Sequence, residues 1–329
     1  MDLERIPLNI SQFLRLSAHV QMLPILESGE ETLVGGQAVM EGVMMRAPHS
    51  YCVAVRKPDG EIVQEEMPVP RMSEKYPIFK LPVIRGLGTL GQAMGLGFKA
   101  LSFSAKAALA EETEGKELPG WVMAANLAFS LLFFLFLYKF VPLFLATQIG
   151  RHYPALDGRI TINLIDGTIR IAILLVFLYG ISRMKEMRRV FEYHGAEHKV
   201  VFNYESGKPV NVKNAQEFVT WHPRCGTSFL LVVMVISLLL YAFIPIDGFW
   251  AKIAIRIAGL PLVIGVSYEL IRAAAKGKGV FLKALTAPGL WLQRITTQPP
   301  SDEQAAVAIS ALEGAMELEK SQGGQLVIA

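Results

Sequence analysis

One uncharged apolar run, Phe229 to Ile246, constrains this chain more than any other segment. About 20 mainly apolar residues in a helix cross the hydrocarbon core of a bilayer. Three further segments have that character: Trp121 to about Phe140, about Asn163 to Ile181, and about Ala251 to Ile271. The last carries Lys252 and Arg256 near its start and Glu269 near its end. The runs are unbroken rather than alternating, which predicts helices and not barrel strands. Trp121 marks one interface of the first span, and Lys139 is placed to snorkel at the other. A hydrophobic content of 52% and a mean hydropathy of +0.37 agree with this reading. The sequence thus predicts an α-helical polytopic membrane protein of about four transmembrane helices.

Lysine and arginine counts set the expected orientation. Eight lie between Arg183 and Arg224, and Arg272, Lys276, Lys278 and Lys283 follow the fourth span. The connection 150–160 holds only Arg151 and Arg159, and 246–252 holds only Lys252. Both termini and the 183–224 loop are therefore expected in the cytoplasm. The mild net charge of +3 and a pI near 8.7 fit loops lying on anionic lipid. No basic patch interleaved with aromatics occurs, so no nucleic-acid partner is expected. Residues 1–30 carry no secretory-signal pattern. With only Cys52 and Cys225, no disulfide framework is implied, and both thiols are expected reduced.

The N-terminal third reads differently. Tyr51–Arg56 and Glu61–Gln64 flank Lys57-Pro58-Asp59-Gly60, a hairpin turn between two strands. Residues 78–110 read as a glycine-rich helix, whose uncharged run Gly86–Phe98 is too short to span. Gly91 and Gly95 offer a small-residue pair for close helix approach. Ser301 with Gln304 forms a capping box ahead of a helix whose apolar stripe is Ile309, Leu312 and Met316.

The chemistry concentrates in His194-Gly195-Ala196-Glu197-His198. Histidines four apart stand on one helix face, close enough for both rings to hold one ion. The order H-x-x-E-H is that of inverted zinc peptidases, with two imidazole ligands and a carboxylate base. Glu197 is the candidate general base. His222-Pro223-Arg224-Cys225 supplies the next candidates, since H-x-x-C can chelate one ion. If all four of His194, His198, His222 and Cys225 bind, the site is closed and structural; if one stays away, a position is open for catalysis. Glu205 and Glu269 are further candidates. Cys225 also opens the third span, so helix cap and activated nucleophile are its other readings. If the second span ran on unbroken, His194 would sit about 16 Å beyond Arg183, so a break at Gly195 or earlier is required. Asp166 and Arg170, one turn apart inside the second span, are expected to pair, with ion conduction as a weaker reading. Glu41 and Arg46 either reach the site or form a surface salt bridge.

Gly-Gly-Gln-Ala-Val-Met-Glu-Gly-Val-Met-Met-Arg (35–46), Glu-Tyr-His-Gly-Ala-Glu-His-Lys (192–199), His-Pro-Arg-Cys-Gly-Thr-Ser-Phe (222–229), Ser-Tyr-Glu-Leu (267–270) and Gly-Leu-Trp-Leu-Gln (289–293) stand in this order. Together they resemble the DUF1385 family of bacterial membrane proteins, sometimes labelled YqhQ-like. The resemblance runs from about residue 33 to 316. It implies a multi-pass protein of the bacterial inner membrane and a metal-dependent enzyme.

The expected organisation is an N-terminal extension (1–32), a β-rich cytoplasmic segment (33–75) and a glycine-rich interfacial helix region (76–118). Transmembrane helices 1–2 (119–182), the His/Cys motif loop (183–228), transmembrane helices 3–4 (229–272) and a cytoplasmic tail with a short helix (273–329) follow. The cytoplasmic part is thus small and α+β. The expected function is a zinc-type metal-dependent hydrolase, a peptidase first, acting at the cytoplasmic face of the bilayer on a membrane or peptide substrate. The alternative is a membrane scaffold or regulator with a structural His/Cys metal site.

Overall fold

The computed structural model describes residues 34–70, 76–108, 120–222, 225–276 and 280–321. The N-terminal extension lies outside the described residues, as do Pro223 and Arg224 of the His-Pro-Arg-Cys motif.

Four strands, β1 (Gly35–Val39), β2 (Gly42–Arg46), β3 (Ser50–Arg56) and β4 (Ile62–Pro68), form an antiparallel meander in chain order. The β3–β4 turn uses Gly60 at φ 89°, where a side chain would be strained. Asp59 also accepts the Glu61 backbone N–H at 2.9 Å. Helices α1 (Ile84–Ala108), α2 (Gly120–Leu135) and α3 (Val141–His152) follow, then α4 (Arg159–Ser182), α5 (Lys185–Glu205) and the short α6 (Val212–Gln216). The chain continues through α7 (Gly226–Phe243), α8 (Phe249–Ala258), α9 (Leu260–Lys276), α10 (Val280–Thr296) and α11 (Asp302–Ser321).

Side chains alternate across a strand, and here both faces of the sheet are covered. Val43, Met45, Cys52 and Ala54 pack against Tyr193 and Val200 of α5 and against Val307 and Leu312 of α11. Met44, Tyr51, Val53 and Val55 pack against Leu96 and Ala100 of α1. The sheet is thus the middle of three layers, which explains why β3 is apolar almost without interruption. Each of these large side chains stabilises the layer by roughly 1.5–3 kcal/mol on burial. The capping box forms: the Ser301 N–H donates to Gln304 Oε1 at 2.9 Å, and the Gln304 N–H donates to Ser301 Oγ at 3.2 Å.

Two details of α1 differ from expectation. Among the described residues, nothing lies within 4 Å of where a Cβ would stand on Gly91 or Gly95. The close approaches are at Gly86, where a Cβ would meet Tyr268 of α9 at 2.7 Å, at Gly88, where it would meet Phe79 at 2.5 Å, and at Gly97, where it would meet the Gln37 side chain of β1 at 2.4 Å. Spacing alone marks small residues without saying which face another element meets.

At the other end stands an apolar bundle. Three helices are long and apolar enough to cross a membrane: Ala125–His152, Arg159–Ser182 and Gly226–Phe243. The fourth expected span is bent by 50° between Phe249–Ala258 and Leu260–Ala273. Pro261 lacks the N–H that a continuous helix would use there. The first is longer than expected. It continues past Phe140 through a π turn, Phe136–Phe140, in which the Val141 N–H bonds the Phe136 carbonyl. Leu127, Phe129, Leu132 and Phe133 all project outward from it. An apolar face of this size is foreign to a water-exposed surface and suited to lipid. Inside the bundle, α4 and α7 meet at Gly167, where a Cβ would lie 2.2 Å from Leu238.

Lys139 does not snorkel. It is buried within the bundle, on the face its own π turn presents to Tyr241.

Candidate metal centre

The break that brings the histidines back falls between α4 and α5. Helix α4 ends at Ser182, and Met184 is extended at φ −77°, ψ 137° before α5 begins. Helix α5 therefore runs beneath the sheet instead of prolonging the second span. Gly195 stays helical and serves a different need: a Cβ there would lie 2.0 Å from the Gln298 carbonyl oxygen. Only glycine lets the α10–α11 connection lie this close to α5. The Gln298 N–H seals the contact by donating to the Phe191 carbonyl at 2.9 Å.

That close approach sets the chemistry of His194. Its Nδ1 lies 2.8 Å from the Thr296 carbonyl oxygen. His198 Nδ1 is bonded to the Thr220 carbonyl oxygen. A carbonyl only accepts, so each Nδ1 carries its ring proton and each Nε2 presents a lone pair. This is the outer partner that a metal-ligating imidazole ordinarily has. The lone pairs converge with a thiol. The donor atoms of His194, His198 and Cys225 all lie within 4.8 Å of one another, and His194 Nε2 is 3.2 Å from Cys225 Sγ. Cys225 is the N-cap of α7, and Thr227 Oγ1 lies 3.1 Å from its sulfur.

Burial favours the neutral form of His198 and His222. Desolvation lowers the His198 pKa, against the bond from Cys225 that raises it. Desolvation likewise pushes His222 down to about 4, against the opposing charge of Glu197. Neutral rings are the form that binds a metal.

Glu197 is buried beside the cluster, its Oε2 3.3 Å from His198 Nε2. Two electron-pair donors at that distance need a proton or a cation between them. Strand β1 packs on the stem of the Glu197 side chain, since a Cβ on Gly36 would lie 2.6 Å from Glu197 Cγ. Two imidazoles and a thiolate are a donor set that suits zinc, and three protein ligands leave one position open. His194 and Cys225 are partly exposed while His198 is buried, so the cluster opens on the His194–Cys225 side.

Three of the four expected ligands thus come together, and His222 stands one ring away. Its ring centroid is 5.7 Å from that of His198, and its Nε2 lies 3.4 Å from Glu205 Oε2. Gln293 fixes its backbone by accepting the His222 N–H at 2.7 Å. The Gln293 amide in turn donates to the His222 carbonyl at 2.8 Å and to Ser228 Oγ at 2.9 Å. Glu269 is elsewhere, paired with Arg85 and accepting the Val83 N–H at 3.1 Å. Glu41 pairs with Arg189, its Oε2 2.6 Å from Nη2, and Arg46 donates to Gln92 at 2.9 Å.

Sequence reasoning missed Thr220, Thr296 and Gln293. The first two act through backbone carbonyls, which leave no trace in residue type. Gln293 closes the Gly-Leu-Trp-Leu-Gln motif, and a lone polar residue ending an apolar run was the available signal.

Fold and site together define a class. This is a largely helical protein with three or four apolar helices of bilayer length, and an α/β/α layer at one end enclosing a His/His/Cys donor cluster. The chain belongs to the family described as "Protein of unknown function (DUF1385)", whose model matches residues 81–318. It is 35% identical over 297 residues to "Uncharacterized protein YqhQ" of Bacillus subtilis (strain 168), a match covering 87% of this chain and 92% of that one. No solved structure matches it.

Proposed function

We propose that this protein is a polytopic protein of the bacterial inner membrane and a metal-dependent hydrolase, a peptidase first, working at the cytoplasmic face. The observation that carries the reading is the convergence of two imidazole lone pairs and the Cys225 sulfur within 4.8 Å, with a buried carboxylate alongside. His194, His198 and Cys225 would hold the metal. A divalent ion there, zinc first, would supply Lewis-acid activation of a carbonyl and of water. Glu197 would take the proton released from the attacking water and return it to the leaving group. The Thr296 and Thr220 carbonyls hold the two rings in the tautomer that leaves Nε2 free. Strand β1 packs on the stem of Glu197. The eight basic residues between Arg183 and Arg224 support a cytoplasmic setting for this layer, with both termini on that side.

The test is metal content of the full-length, detergent-purified protein by mass spectrometry. The expected result is close to one equivalent of zinc, lost in a folded His194→Ala/His198→Ala variant. Glu197→Gln should keep the metal and lose hydrolysis of a fluorescein-labelled casein probe by about 10²-fold or more. No metal after reconstitution with zinc, manganese or iron would overturn the metal site. Full hydrolysis by Glu197→Gln would overturn the assignment of the base.

One observation favours a second reading, a membrane scaffold or regulator. His222 is buried with its ring centroid 5.7 Å from that of His198, which sets a fourth candidate donor beside the cluster. Four protein ligands by X-ray absorption, with folding and partner binding intact in Glu197→Gln, would favour a closed structural site.

A further inference from the structure

A second cluster of buried charge lies inside the apolar bundle, away from the His/Cys centre. Asp166 Oδ2 is 2.5 Å from Arg170 Nη2, and Asp166 Oδ1 is 2.8 Å from Arg256 Nη1. Arg256 Nη2 donates to Asn163 at 2.7 Å, and Arg170 Nη1 donates to Ser237 at 3.0 Å. Lys139 completes the group. Its Nζ lies 5.7 Å from the Tyr241 ring, and Arg256 Cζ lies 5.8 Å from the same ring. All four charged side chains are at most 6% exposed.

The charges do not balance. One carboxylate faces two guanidiniums and an ammonium. Arginine cannot be deprotonated in a protein, so the cluster stays positive whatever the state of Lys139. A helix rise of about 1.5 Å per residue sets Arg170 about 16 Å along α4, half way through an apolar span. An uncompensated charge at that depth costs at least several kcal/mol.

Donors are also left over. Arg170 Nε is buried without a hydrogen-bond partner. Among the described residues, Lys139 Nζ has no hydrogen bond or ion pair, and it lies over the Tyr241 ring. Both flanking helices are irregular beside the cluster. Lys139 sits in the π turn, a feature frequent at functional sites, and Arg256 sits one turn before the 50° bend. Broken helices inside a membrane are tolerated where they line a cavity or a binding site.

We infer that Lys139, Arg170 and Arg256 form a binding site for a small monovalent anion inside the bundle, with Asp166 as its internal competitor. The remaining donors are few and of one sign, which fits a halide or a carboxylate the size of formate. A phosphate diester would be too large and too highly hydrated for this depth. The site is independent of the metal centre.

The test is a titration of the full-length protein in detergent, with thermal unfolding as readout. Potassium chloride, bromide or formate replaces potassium gluconate at constant ionic strength. A saturating rise in the midpoint with chloride is expected. Lys139→Met, which breaks no ion pair, should raise the half-saturating chloride concentration at least ten-fold while keeping the wild-type metal content. Asp166→Asn should lower that concentration at least ten-fold. Broadening of the chloride NMR line by wild-type protein, reversed by bromide, reads the same site without any variant. Identical titrations in gluconate and in the three small anions would overturn the proposal, as would Lys139→Met titrating like the wild type.

Discussion

The molecule buries ionisable groups in two places and resolves them oppositely. In the α/β layer, His194, His198, Cys225 and Glu197 bring electron pairs together, and burial favours the neutral form of His198 and His222. In the bundle, Lys139, Arg170 and Arg256 bring N–H donors together around one carboxylate. The first arrangement gathers lone pairs and the second gathers N–H donors. The difference teaches that donor and acceptor inventories, read atom by atom, state the sign of what a buried cluster will hold. Burial alone states only that something must be compensated.

The comparison breaks most sharply at Asp166. Replacing it with alanine leaves Arg170 and Arg256 buried without their shared carboxylate. The expected destabilisation is about 3–5 kcal/mol in gluconate, measured by denaturant unfolding in detergent, with part of it recovered in chloride. Recovery by zinc in place of chloride would reverse the signs assigned to the two clusters.

In the layer the expected effect is smaller and falls on binding. Gly195→Ala drives a Cβ to within 2.0 Å of the Gln298 carbonyl. The connection must move, taking the Thr296 carbonyl from His194 Nδ1. Overpacking costs about 1–3 kcal/mol, and loss of an outer partner weakens metal affinity by about 10–100-fold. A chelator competition assay reads the second effect. Unchanged affinity would show that the Thr296 contact does not orient the ring.

Glu319 sharpens the contrast with the smallest effect. It is a buried acid in the same layer, with donors supplied by the chain itself. It accepts the His49 N–H at 2.8 Å and the Ser50 hydroxyl at 2.9 Å, and lies 2.9 Å from His49 Nδ1. Burial opposes its ionisation, but the hydrogen bonds from His49 and Ser50 hold its pKa below the usual 4.5. A carboxylate depressed on folding contributes stability above its unfolded pKa, and that contribution fades as pH falls through the folded value. Stability should therefore drop below about pH 4.5. Glu319→Gln should flatten that part of the curve at a cost of about 1.5 kcal/mol near neutrality. Neither metal content nor the chloride titration should change.

Much of this was legible in the sequence, for identifiable reasons. Apolar run length marked the bundle helices, and the Ser301–Gln304 spacing marked the cap, because both are local. The i,i+4 spacing paired His194 with His198 and Asp166 with Arg170 for the same reason. Cys225 joined the first pair as its place before an apolar run allowed. Three other expectations met long-range geometry. Among the described residues, nothing meets a Cβ on Gly91 or Gly95, because helix rotation is set by partners. Lys139 turned inward because a π turn redirects it. Glu269 went to Arg85 because α1 lies beside α9.

The sequence by itself determined which segments are apolar enough to leave water, where the Ser301–Gln304 cap falls, and which side chains share a helix face. Those properties depend on hydropathy and on a fixed period of 3.6 residues. Only the tertiary structure decided that Met184 breaks the chain's path, that the Thr296 and Thr220 carbonyls set the histidine tautomers, and that Lys139 and Arg256 join Asp166. Each of these depends on elements far apart in sequence meeting within a few ångströms, and the energy that selects such meetings is absent from any local window.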